Sequence, residues 1–99
     1  MNKLDLIIEN SAERDIYSIA DYIANDNKKV ALKLVKEFNK SFELFCLHSN
    51  IGFERKDFTY RNVRFYVVKK NYLIVYTVIE NSIHILRVLS AYQDICSIL

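Results

Sequence analysis

A chain of 99 residues, 52% apolar and 26% charged, with a formal net charge of +2, has the size of one globular domain, expected to span residues 1–99. A single glycine, no proline, seven tyrosines and six phenylalanines exclude the collagenous, low-complexity and linker classes and oppose intrinsic disorder. A domain this small buries only about 60–65% of its unfolded surface, so a bound partner is an expected source of stability.

The charge is uneven. Residues 1–27 carry six acids against two bases (−4), residues 28–70 eleven bases against four acids (+7), and the remainder Arg87 against Glu80 and Asp94 (−1). A basic segment inside a nearly neutral domain points either to an anionic partner, nucleic acid or acidic protein, or to a solvated lysine face. Cys46 and Cys96 have neither a CxxC spacing nor a dense cysteine framework around them, and read as free thiols. Near the N-terminus the apolar run is only Leu6 to Ile8, flanked by acids, which is neither a signal peptide nor a membrane span; a cytoplasmic protein without membrane contact is the expectation.

Lys3 to Glu9 reads as an initial strand, with Leu4, Leu6 and Ile8 on one side. Asn10 or Ser11 offers a helix N-cap, and Glu13 stands three residues after Asn10 as a capping box requires. In the helix that follows, Ile16, Ile19, Ala20 and Ile23 form one apolar stripe. Asn25-Asp26-Asn27 ends it, and Asp26 or Asn27 can cap a second helix from about Lys28 to Leu47. There Val30, Ala31, Leu34, Val35, Phe38, Phe42 and Phe45 keep the helical period, with Lys29, Lys33, Lys36 and Lys40 nearly opposite. The short connection makes the pair a helical hairpin.

His48 to Tyr60 is the main loop and contains the only glycine, Gly52. Three runs rich in Val, Ile, Tyr and Phe follow, Asn62 to Lys69, Tyr72 to Ile79 and Ser82 to Leu89, and read as strands of an antiparallel meander. Lys70-Asn71 and Glu80-Asn81 are the turns between them, with asparagine able to supply positive φ. Tyr92 to Leu99 is too short to assign. The fold class is therefore α+β, in the order β-α-α-β-β-β, with the helical hairpin packed on an antiparallel-rich sheet.

That order, with four local signatures, resembles the ParE/RelE superfamily of toxins from bacterial type II toxin-antitoxin pairs over nearly the whole chain. The signatures are Asp15 to Ala24, the loop Asn50-Ile51-Gly52-Phe53-Glu54-Arg55, the strand Tyr72-Leu73-Ile74-Val75-Tyr76, and the ending Ile85 to Asp94. The usual loop proline is replaced by Ser49 or Asn50, and the polar-Arg ending by Ser90 to Gln93.

The resemblance implies one of two activities. RelE-like members cut messenger RNA on the ribosome; ParE-like members inhibit DNA gyrase. RNA cleavage by 2′-hydroxyl attack needs a base, cations for the phosphate charge and an acid for the leaving oxygen. RelE-like enzymes place a basic residue on the middle hairpin strand and Arg, His or Tyr groups just after the last strand. Leu73 and the stretch Leu89-Ser90-Ala91-Tyr92-Gln93 stand there instead. Only Tyr92 could move a proton, with an ordinary pKa of about 10. The preferred reading is thus a gyrase inhibitor that acts through binding, with no catalytic residue assigned; the alternatives are a ribosome-dependent mRNA endoribonuclease and a non-toxic relic that only binds its antitoxin.

His84 alternates with Ile83 and Ile85 and reads as an ordinary strand histidine. Cys46 and His48 have no second pair to complete a metal site, and no Gly-rich phosphate loop is present, so neither metal nor cofactor is expected. Candidate target contacts are Arg61, Arg64, Arg87 and Tyr92. Arg61 and Arg64, three apart, point to opposite faces of a regular strand. Arg87 stands in phase with Ile83, Ile85 and Leu89, where a guanidinium demands an anionic partner, either in a structural pair with Asp94 or Glu80 or on the target. The resemblance further implies a cognate antitoxin. Phe53, Phe58, Tyr60, Tyr66, Tyr72 and Tyr76 are aromatics that a small core need not enclose, and Ile19, Tyr22, Ile23, Lys33 and Lys36 on the hairpin are the candidate antitoxin contacts.

Overall fold

The computed structural model describes residues 3–56 and 62–90. Their order is β1 (Asp5–Ile8), α1 (Asn10–Ala24), α2 (Lys28–Leu47), β2 (Arg64–Val68), β3 (Tyr72–Ile79) and β4 (Ser82–Ser90). The strands form one sheet in the order β1-β4-β3-β2, in which β1 runs parallel to β4 and the other neighbours are antiparallel. The expected β-α-α-β-β-β arrangement is thus present. Among the described residues no helix is long and apolar enough to cross a membrane.

Both helices lie on one sheet face. α2 supplies Leu34, Phe38, Phe42, Phe45 and Cys46 and α1 supplies Ala12; these meet Val68, Ile74, Tyr76, Ile83, Ile85 and Val88 from the strands. Each fully buried large apolar side chain contributes about 1.5–3 kcal/mol relative to exposure, and four such phenylalanine and tyrosine rings sit here at 0–1% exposure. Phe45 stacks on Tyr76 with centroids 4.0 Å apart and meets Tyr66 edge-on at 5.2 Å. The opposite sheet face buries a second cluster, Val63, Phe65, Leu73, Val75 and Leu89, with Leu86 partly buried against it.

Several local expectations are corrected. Glu9 is the N-cap of α1 and makes no side-chain cap bond, so the Asn10/Ser11 capping box does not form; the Ser11 hydroxyl is used elsewhere. The Asn27 carboxamide does cap α2, accepting from the Val30 N–H at 3.1 Å. Val30, which keeps the apolar period, is about half exposed because it lies in the first turn of α2, ahead of the buried run from Ala31. Leu6 is also exposed, on an edge strand only four residues long. In the hairpin turns positive φ falls on Lys69 (53°), Lys70 (65°) and Glu80 (55°), not on Asn71 or Asn81. The left-handed region costs a residue with a Cβ about 1–2 kcal/mol, and strand pairing on both sides fixes the turns there nonetheless.

A β-bulge breaks the regular alternation of β4. Tyr76 pairs with Ile85 but Val75 pairs with Arg87, leaving Leu86 as the extra residue. Ile83 and Ile85 therefore share the helix-side core with Val88, while Leu89 joins the opposite cluster. Arg87 is not in phase with Ile83 and Ile85, contrary to the simple period of two.

Candidate functional site

Among the described residues, two clusters of polar side chains and one depression bear on a site. The first is the β4 edge. β1 pairs with β4 only as far as Ile8↔Ile85, and Glu9 extends the ladder by one bond, its N–H donating to the Ile85 carbonyl at 3.0 Å. Beyond that point the edge would be bare, and a bare edge exposes unpaired backbone groups. Side chains of α1 take over. Ser11 Oγ donates to the Leu86 carbonyl at 2.9 Å, and one turn later Asp15 Oδ2 accepts the Val88 N–H at 2.9 Å. The spacing of four residues puts both on one helix face.

Asp15 also holds Arg87. Arg87 Nε donates to Oδ2 at 2.7 Å and Nη2 to Oδ1 at 2.9 Å, a two-pronged pair. The pairing raises the Arg87 pKa further above its ordinary value, against the opposing effect of burial. The anionic partner of Arg87 is therefore Asp15 and not Glu80; Asp94 lies outside the described residues. On the neighbouring stretch His84 Nδ1 meets Glu9 Oε1 at 3.0 Å, so His84 is a partnered strand histidine.

The second place is the anchor of the main loop. Tyr76, fully buried where the sequence left it a candidate for exposure, sends its hydroxyl toward residues 49–52. It donates to the Ser49 carbonyl at 2.9 Å and accepts from the Gly52 N–H at 2.8 Å. Burial raises the phenol's pKa, outweighing the Gly52 bond. A Cβ on Gly52 would sit 2.8 Å from Tyr76 Cε1 and Oη and 2.9 Å from the Phe65 carbonyl, so only glycine fits. Arg64 closes the same loop, Nη1 donating to the Gly52 carbonyl at 2.6 Å and to the Asn50 carbonyl at 3.4 Å, with Glu54 3.9 Å from Nη2. Phe53 then bridges to Phe65 through paired backbone bonds of 2.9 and 2.8 Å.

The third is a depression of about 480 Å³ between α1 and the sheet, lined by Ser18, Ile19, Tyr22, Ile23, Asn71, Tyr72 and Ser90. It brings together Ile19, Tyr22 and Ile23, and Tyr22 is 78% exposed. Lys33 and Lys36 do not line it; both stand exposed on α2. Among the other aromatics named from sequence, Phe53 is exposed and Tyr66 and Tyr72 are half-buried. Arg61, Tyr92, Phe58, Tyr60 and Cys96 lie outside the described residues; Cys46 is a buried free thiol whose pKa burial raises.

On the middle strand β3, Leu73 is buried in the far-face cluster. Comparison with known proteins decides the family. Residues 6–95 match the family described as the ParE toxin of the type II toxin-antitoxin system parDE. The chain belongs to the ParE toxin family. No curated protein matches it. Its fold is shared with a structure of the chromosomal ParDE toxin-antitoxin system from P. aeruginosa (TM-score 0.74, 22% identity, 89% of this chain and 96% of that one). A conserved hypothetical protein from Helicobacter pylori, solved in solution, is similar at TM-score 0.55 and 20% identity, over 88% and 93% of the respective chains.

Sequence reasoning missed Asp15 and the Gly52–Tyr76 contact in this ParE-family toxin. Asp15 carried a signal: it sits at the margin of the stripe formed by Ile16, Ile19 and Ile23, four residues after Ser11. For Tyr76 the signal was the lone glycine of the loop, without anything local to name its partner.

Proposed function

We propose that this ParE-family toxin acts by binding DNA gyrase, not by cleaving RNA, and that a cognate antitoxin neutralises it. The observation carrying this reading is the burial of Leu73 at 8% exposure among Val63, Phe65, Val75 and Leu89. A phosphate cannot be stabilised from that position, and a general base cannot operate there. The two described arginines of the sheet support it as well: Arg64 is spent on loop carbonyls and Arg87 on Asp15. A protein whose middle strand offers an apolar side chain at Leu73, and whose described sheet arginines already hold partners, is suited to inhibition by docking. Of the candidate target contacts, Arg61 and Tyr92 lie outside the described residues, and Arg64 and Arg87 would reach the target only by exchanging the partners they hold.

For the antitoxin, the depression beside Ile19, Tyr22 and Ile23 fits the apolar face of a helix or an extended segment. Inducible expression distinguishes the readings. Loss of negative supercoiling and a DNA-damage response with intact transcripts are expected; transcripts cut at defined codons in the presence of ribosomes, with supercoiling unchanged, would overturn the proposal.

A further inference from the structure

The outward face of α2 carries a charge pattern that the fold does not use. Lys29, Lys33, Lys36 and Lys40 fall within about 60° of arc and extend over about 16 Å of helix. They are opposite the buried side formed by Leu34, Phe38, Phe42 and Phe45. Among the described residues none of the four is paired with an acid. Glu37, the one acid between Lys29 and Lys40, makes no ion pair either.

A solvated helix face ordinarily mixes signs so that neighbours at three and four residues attract. Here Lys29 and Lys33, Lys33 and Lys36, and Lys36 and Lys40 repel one another at those spacings, while the acids at such spacings, Glu37 to Lys33 and Lys40 and Glu43 to Lys40, form no ion pair with them. Lys28 and Lys29 also stand in the first turn of α2, which has no acidic residue, against the positive end of the helix dipole. The local preferences of the helix therefore oppose this stripe, and such conflicts mark surfaces kept for another purpose.

We propose that this face of α2 is a contact for the phosphate backbone of duplex DNA. Charge complementarity selects a polyanion, and the composition of the face selects which one. Single strands are held by bases stacked on aromatic rings, but every aromatic side chain of α2, Phe38, Phe42 and Phe45, is buried. An acidic peptide that orders on binding needs apolar anchors within its charged track; between Lys29 and Lys40 this arc holds lysines alone, with the exposed Leu32 beside it. A straight row of unpaired ammonium groups needs only regularly placed phosphates. The proposal does not depend on the identity of the enzymatic target.

The test is fluorescence anisotropy of the purified full chain with a labelled duplex of about 20 base pairs and arbitrary sequence, across a salt series. Four phosphate contacts predict a slope of log K against log salt of about −3.6, an affinity loss of about 150-fold between 50 and 200 mM salt. Lys33→Glu with Lys36→Glu is expected to weaken binding at least tenfold at low salt with the circular dichroism spectrum unchanged, and Lys33→Arg with Lys36→Arg to retain it. Duplex binding untouched by the charge reversal, no duplex binding at 50 mM salt, or binding of polyglutamate in preference to the duplex would each overturn the proposal. Duplex binding by a chain that leaves gyrase supercoiling intact would support it while counting against the gyrase reading.

Discussion

Asp15 ties α1 to β4 through three hydrogen bonds to one carboxylate, so its removal is the sharpest perturbation available. Asp15→Ala deletes the acceptor for Arg87 Nε, Arg87 Nη2 and the Val88 N–H together. In a buried site hydrogen bonds to a charged group contribute about 1.5–3 kcal/mol each, and an unpaired backbone N–H costs about 1–3 kcal/mol. The side chains of Arg87 and Asp15 keep 28% and 15% exposure, so water compensates part of the loss, and the expected net destabilisation is about 2–4 kcal/mol. For a domain of this length that lowers the Tm by about 10–25 °C. Asp15→Asn keeps an acceptor for Val88 but loses the charge, and should fall between the parent and the alanine variant.

Urea denaturation of the single and double variants completes a cycle with Arg87→Met, which keeps the apolar stem of the arginine. A coupling of about 1–3 kcal/mol between the two positions is expected. A cost below about 0.5 kcal/mol for Asp15→Ala, typical of an exposed surface change, would refute the role given to this carboxylate. The double variant has a second use. It buries no lone charge, so if it folds and has lost toxicity, Arg87 also meets the target.

Gly52→Ala forces a Cβ into 2.8–2.9 Å contact with Tyr76 and the Phe65 carbonyl and should cost about 2–4 kcal/mol by denaturant titration, with loss of the loop anchor. Tyr76→Phe removes the hydroxyl shared by Ser49 and Gly52 and should cost about 1–3 kcal/mol. Its pH signature has a definite sign. Burial lifts the folded-state pKa of Tyr76 above the ordinary 10.0, so the unfolded chain releases this proton first. The stability from the neutral phenol is then complete below pH 10 and declines as pH rises through the folded-state value. Tyr76→Phe should flatten that alkaline decline, measured as the difference between the two stability curves. Arg64→Met should leave the global Tm within a few degrees but raise amide exchange across residues 49–54, since Arg64 holds the carbonyls of Asn50 and Gly52.

The parts of the fold governed by local periodicity were legible. α2 begins at Lys28 and ends at Leu47, the two residues that its apolar period and asparagine cap designate, and β3 keeps the bounds Tyr72–Ile79. Most of the failures share a cause: contacts distant in sequence. Ser11 and Asp15 look like ordinary first-turn and surface residues until α1 is laid along β4, 72–75 positions away. The bulge at Leu86 depends on how β3 meets β4, and it alone removes Arg87 from the phase of Ile83 and Ile85. Lys69 and Lys70 take left-handed angles although Asn71 is adjacent, in the three-residue turn between the paired Val68 and Tyr72. Tyr76 stood among the aromatics that a small core need not enclose, and its two backbone partners lie 24 and 27 residues upstream.

The same contacts bear on where an anionic partner can gain free energy. A guanidinium that already holds a carboxylate through two short bonds must release it before taking a phosphate, so the exchange trades one charge-assisted pair for another and returns little. Arg87 is in that position with Asp15, and Arg64, bonded to two carbonyls with Glu54 beside it, is nearly so. The α2 lysines have no such pair to break, and they begin from mutual repulsion that a polyanion relieves. Substitutions at Arg64 and Arg87 should therefore be felt first in folding and loop order. Substitutions at Lys33 and Lys36 should be felt first in the salt dependence of association. The arginines hold the scaffold of this ParE-family toxin together, and the lysine row is where its long-range field is free to act.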